Sequence, residues 1–121
     1  MSIDINNVKA LFELFSGESA NSEWSPVIVM AVYEVRNMLL PDADDTDTRL
    51  EFLAASVANY RAQEIKFSSG KREYEYIGRM DGGARTSLAG AETLMREYVQ
   101  LCRDLIKADT FVFETIPTKE G

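Results

Sequence analysis

Apolar residues recur at spacings of three and four over four stretches of the chain, and alternate with polar residues over two more. Val8, Leu11, Phe12 and Phe15 carry the first helical stripe, which predicts a helix over about 4–16. Ser16-Gly17 closes it, and the polar run GESANSEW forms a loop. Ile28, Ala31, Val32, Val35 and Leu39, with Met38 beside them, predict a second helix over about 25–40. It opens on Ser25-Pro26, a serine N-cap ahead of a proline whose missing N–H costs nothing at the first helical position. Pro41 stops it, and Trp24 is placed to pack on its first turn.

A third helix is predicted over about 47–66, capped by Thr46 or Asp47, with Asp47 and Glu51 giving its first turn the sign the helix dipole favours. Leu50, Leu53, Ala54, Val57, Ala58, Arg61 and Ile65 form its inner stripe. Alanines at 54, 55, 58 and 62 admit a neighbouring helix closely. Leu88, Ala91, Leu94, Met95, Tyr98, Leu101, Cys102 and Leu105 predict a fourth helix over about 87–107. Between the third and fourth, Tyr74 and Tyr76 alternate with Glu73, Glu75 and Ile77, which predicts a short strand over about 72–78. Gly82 and Gly83 make 79–87 a mobile loop. TFVFETIP alternates too, and predicts a strand over about 110–116. The expected fold is therefore mainly α: one domain, 1–121, with a four-helix bundle-like core and a small α+β element in its C-terminal half. Two strands alone are marginal, so either they pair over the helices or one adds to a neighbouring subunit.

Composition narrows the chemistry. With no histidine, neither a Ser-His or Cys-His dyad nor an imidazole metal ligand exists, and a single cysteine excludes an intrachain disulfide and a thiolate zinc site. The near-unbroken apolar run Pro26–Tyr33 is too short to span a bilayer, and the start MSIDINNVKA lacks a basic segment followed by an apolar one. A cytoplasmic setting without membrane partners is the expectation.

The apparent motifs fail on inspection. Begun at Asp42, PDADDTD has acids at positions 1 and 3 of a calcium loop, but Asp47 stands where glycine is needed and Leu53 where a bidentate glutamate is needed. Gly70-Lys71 is no phosphate loop, because Ile65 replaces its first glycine and Arg72 its hydroxyl. Cys102 falls on an apolar stripe and reads as a buried, inert thiol. Glu73 and Glu75 have no apolar pocket to raise a pKa. No catalytic, metal or cofactor-binding residue is assigned, and the chain is not expected to be an enzyme. Arg61–Arg85 with Tyr74 and Tyr76 would suit single-stranded nucleic acid, but a net charge of −7 argues against it, and no sequence-specific nucleic-acid partner is expected.

Charge is segregated along the chain. Residues 1–51 hold ten acids against three bases, whereas 52–121 hold ten of each, so the whole imbalance lies in the first half. The acidic turn (Asp42, Asp44, Asp45, Asp47) and the bases Arg61, Lys66, Lys71, Arg72, Arg79 and Arg85 are the candidate assembly surface, acidic end to basic middle of a neighbouring copy.

Leu40-Pro41, the acidic turn, Arg49-Leu50, Ala54-Ala55 and Asn59-Tyr60-Arg61 follow one another in an order that resembles small prophage-encoded head–tail connector proteins. The later pieces YEYIG (74–78), MREYVQLCRDLI (95–106) and FVF (111–113) are similar to the back half of such proteins. The resemblance implies a helical bundle that self-assembles into a ring below the portal, extends the DNA channel and docks a tail or second connector protein. It would sit in the host cytoplasm before assembly and in the virion after it. A glycine loop that orders only on assembly would suit that role. The competing expectation is a small cytoplasmic helical interaction or regulatory module, working through the faces of the second and third helices and without catalytic activity.

Overall fold

The computed structural model describes residues 3–69 and 81–107. They form four helices: α1 (Ile5–Ser16), α2 (Ser25–Met38), α3 (Arg49–Ser69) and α4 (Asp81–Leu101). α3 lies at the centre and packs against each of the other three, while α1 also packs on α2. The mainly helical class is as the sequence predicts. The expected strands 72–78 and 110–116 lie outside the described residues. Among the described residues no strand forms, and β-type pairing is limited to an isolated antiparallel bridge between Leu39 and Ile106.

The ends of the helices follow from local chemistry, with several corrections. Asp4 caps α1 by accepting from Asn6 N–H at 2.9 Å, which satisfies a donor the helix itself cannot. Gly17 ends α1 in the left-handed region (φ 77°), with its N–H on the Glu13 carbonyl. α2 begins at Ser25 itself rather than being capped by it: the N-cap position is Trp24, whose side chain makes no cap bond. A turn over 21–24 leads in, with Ser25 N–H donating to the Asn21 carbonyl at 2.8 Å. Trp24 is buried and packs on Phe12 of α1 (ring centroids 6.4 Å apart). α2 ends at Met38, two residues short of the expected boundary, because Leu39 turns extended (ψ 140°) to meet Ile106. Pro41 disfavours helical backbone at Leu40 as well. Of the two expected caps for α3 it is Asp47 that acts, accepting from Arg49 N–H at 3.0 Å.

α4 starts at Asp81, so Gly82 and Gly83 lie inside a helix and not in a loop. Glycine costs only about 1 kcal/mol against alanine in a helix, an amount the strong apolar period downstream outweighs. α4 ends at Leu101, six residues before the expected boundary at 107, and a tight turn follows in which Leu105 N–H donates to the Cys102 carbonyl at 2.7 Å. The break moves Leu101 out to solvent (51% exposed) while Cys102, Leu105 and Ile106 go in.

The core is the stripe the periodicity marks. Val8 and Phe12 of α1, Ile28, Val32 and Val35 of α2, and Leu50, Leu53 and Val57 of α3 are buried together. Ala54, Ala55, Ala58 and Ala62 are fully buried, which is how α3 accepts neighbours on several sides at once. The inner stripe stops short of its predicted length: Arg61 is half-buried and Ile65 is exposed. Phe52 and Tyr98 bring α3 and α4 together at 5.7 Å between rings, and Phe15 of α1 stacks on the same tyrosine at 6.0 Å.

One stripe of α3 is polar although buried. Ser56, Asn59 and Gln63 continue the helical spacing of Arg49 and Phe52, and both of those earlier residues touch α4, so this is the face turned to α4. Gln63 Nε2 donates to Asn59 Oδ1 at 3.1 Å, and Ser56 Oγ donates to the Leu53 carbonyl at 2.8 Å. A buried polar group left unpaired costs about 1–3 kcal/mol, so these bonds make the stripe tolerable. Periodicity of apolar residues gives no sign of it.

Candidate assembly surface

The acidic segment is two consecutive turns. Ala43 N–H donates to the Leu40 carbonyl at 3.0 Å, and Asp47 N–H donates to the Asp44 carbonyl at 3.2 Å. Asp44 folds its carboxylate back onto Thr46, accepting from the backbone N–H at 3.0 Å and from the hydroxyl at 2.6 Å. The hydroxyl bond, then the backbone one, holds the Asp44 carboxyl below the usual carboxylate range. Asp47 turns inward to Arg49, whose Nε and terminal nitrogen donate at 3.1 and 2.8 Å, and these bonds lower its pKa in turn. Asp42 and Asp45 stand exposed on the outside of the turn. Local hydrogen bonds thus set the turn as an anionic projection.

The bases predicted as the opposite pole are differently placed. Arg61 pairs with Glu34 of α2 (3.4 Å) and Glu64 (3.2 Å), with its guanidinium 5.7 Å from the Tyr60 ring centroid. Lys66 pairs with Glu18 at 2.6 Å. Arg61 and Lys66 are therefore both occupied by acids of their own chain. Lys71, Arg72 and Arg79 lie outside the described residues, and Arg85 lies in the first turns of α4. At 1.5 Å per residue, Asp47 and Lys66 are about 28 Å apart, at opposite ends of α3.

Two features escaped the sequence. The first is Arg49, which besides Asp47 reaches Asp104 (3.2 Å) and the Leu101 carbonyl (2.9 Å). It bolts the start of α3 to the end of α4, and its hydrogen bonds keep the Asp104 carboxyl low. The carbonyl of the same residue faces Cys102 Sγ at 3.6 Å. Burial pushes the Cys102 thiol up to about 11, as the inert reading requires. The second is the outer flank of α2, where Val29, Met30 and Tyr33 are 47%, 56% and 57% exposed. SPVIVMAVYEVRNM is apolar on both sides of the helix, which is the signal a search for one buried stripe passes over.

Among the described residues no group of three or more His, Cys, Asp or Glu side chains gathers to hold a metal, and no helix is long and apolar enough to cross a membrane. A shallow open groove between the end of α3 and α4 is lined by Glu64, Ile65, Phe67, Ser68 and Leu88. Comparison with protein-family models, curated proteins and solved structures finds no match to this chain.

Proposed function

We propose that the protein is a structural, non-catalytic component of a phage or prophage particle, a head–tail connector that self-associates into a ring below the portal and extends the DNA channel. The observation that carries this reading is the acidic turn. Asp42 and Asp45 project from a segment fixed by the Asp44–Thr46 and Asp47–Arg49 bonds, so a partner's cations meet a preorganised anionic site. A ring needs a heterologous contact between two different patches of one chain, and the acidic turn supplies one such patch. With Arg61 and Lys66 paired internally, the opposing patch falls to the bases from Lys71 to Arg85. An acidic surface toward the channel would repel DNA phosphates and let the duplex slide.

Native mass spectrometry at low and high salt tests the proposal. The expected result is an oligomer whose population rises with protein concentration, falls with salt, and is lost in the double variant Asp42→Lys, Asp45→Lys with helical circular dichroism unchanged. A chain that stays monomeric throughout, including in mixture with a portal, overturns it. The exposed flank of α2 favours the second reading, a helical interaction module, and binding of an unrelated protein without self-association would select it.

A further inference from the structure

α4 is fastened to the rest of the molecule at its C-terminal end. Arg49 holds the Leu101 carbonyl and Asp104, the Cys102 thiol meets the Arg49 carbonyl, and Tyr98 packs on Phe52 and Phe15. Just beyond the helix, Leu40 N–H donates to the Leu105 carbonyl at 2.9 Å and Lys107 N–H to the Met38 carbonyl at 2.8 Å. Over residues 87–107 the buried side chains are Ala91, Met95, Cys102, Leu105 and Ile106, and none precedes Ala91.

The register between the two helices shows what the other end rests on. Arg49 meets Leu101 and Phe52 meets Tyr98, so a step forward along α3 is an equal step back along α4. Continued, that register sets Asn59 opposite Ala91 and Gln63 close to Leu88, and Leu88 does line the open groove beside Glu64. At this level α3 offers an amide pair bonded to itself, Gln63 Nε2 to Asn59 Oδ1 at 3.1 Å. Lifting α4 here lets water reach two carboxamides and leaves their mutual bond in place, whereas lifting the other end breaks the Arg49 bonds and parts the aromatic rings.

The sequence divides at the same place. DGGARTSLAG (81–90) has glycine three times together with Asp, Thr and Ser, all weak helix formers, whereas AETLMREYVQL (91–101) is built largely of strong ones. Gly90 is exposed, has no positive φ, and has nothing within 4 Å of where a Cβ would stand. Neither a turn nor a close neighbour calls for glycine there, so its effect is to weaken the helix at the boundary. We propose that α4 is a helix in two parts: residues 81–90 unwind and lift from α3 as a unit that ends at Gly90, while 91–101 stay fastened. The open form bares the Asn59–Gln63 amides of α3 at a cost well below that of unfolding the protein. The proposal is independent of the connector reading, since it rests on the α3–α4 contact alone.

Native-state amide exchange of the full chain tests it. Relative to their intrinsic rates, the amides of 87–92 should exchange at least about tenfold faster than those of 97–101, and equal protection overturns the proposal. Arg49→Met loosens the fastened end, so it should speed exchange at 97–101 and leave 87–92 unchanged. Equal acceleration of both groups would show that α4 opens as one piece, and overturns it. Low guanidinium chloride makes the same comparison without a substitution. Exchange at 97–101 should rise more steeply with denaturant, because the opening that releases those amides exposes more surface, and equal slopes overturn the proposal. Gly90→Ala should slow 87–92 about fivefold, the worth of alanine over glycine inside a helix, and unchanged rates there overturn the boundary at Gly90.

Discussion

The guanidinium of Arg49, the first residue of α3, donates to the carbonyl of Leu101, the last residue of α4, at 2.9 Å. The two residues are 52 apart in sequence, and the bond joins the start of one helix to the end of another. It answers a need at each end. The last carbonyls of α4 have no partner within their own helix, and Asp47 and Asp104 hold the guanidinium in position from either side.

Replacing Arg49 with methionine should therefore lower the thermal midpoint at neutral pH, and the size of the loss should depend on pH. The Asp47 and Asp104 carboxyls are held below their ordinary value chiefly by hydrogen bonds from Arg49. Groups with a depressed folded pKa contribute stability that is fully present above the unfolded value, about 3.9, and lost as pH falls through the folded one. The gap between wild type and variant should thus be constant from pH 7 to about 5 and narrow below about pH 4, down to the part that the bond to the Leu101 carbonyl supplies at every pH. Thermal melts across that range check it. A gap undiminished at about pH 2.5 would mean that the bond to the Leu101 carbonyl and the packing of the side-chain stem, and not the ion pairs, are what the variant loses.

Ala58 is fully buried on α3, where neighbouring helices approach closely. Ala58→Asp should cost more than about 3 kcal/mol, through a carboxylate with no partner in the helix interface. Urea denaturation measures it directly. A midpoint near that of wild type would show that this face is open to water.

Gly17 closes α1 with φ at 77°, and nothing lies within 4 Å of where a Cβ would be built. The space is open, so Gly17→Ala should cost only the strain of a left-handed alanine, about 1 kcal/mol. Asparagine tolerates the left-handed region better than alanine does, so Gly17→Asn should recover part of the loss in the same denaturation experiment.

Most of the helical frame is legible in the chain. Ile28, Val32, Val35, Leu50, Leu53 and Val57 mark their helices because burial repeats with the helical period. The errors fall where a local signal competes with a distant contact. Gly82 and Gly83 read as a loop, yet a helix runs through them. Leu101 reads as core by spacing, yet the helix ends there and the following turn buries Cys102 instead. The candidate surface was legible as charge and not as pairing. Nothing local announces that Arg61 meets Glu34 across 27 residues, or Lys66 meets Glu18 across 48. Those pairs neutralise two of the bases that the sequence offers as a basic pole, and they leave the acidic turn as the clearer of the two ends.

The polar stripe on α3 has a consequence for the order in which the protein is made. α1, α2 and α3 leave the ribosome before α4 exists, and during that interval the face of α3 meant for α4 has nothing to lie on. Were that face leucine and valine, the nascent chain would display an adhesive strip to every other unfinished protein nearby. Ser56, Asn59 and Gln63 leave Phe52 as the one large apolar side chain on that stripe, so most of it can take up water before α4 is synthesised, and in the finished fold Gln63 and Asn59 bond to each other instead. A stripe that must be hydrogen-bonded inside the finished fold thus gives the half-made chain a less adhesive face.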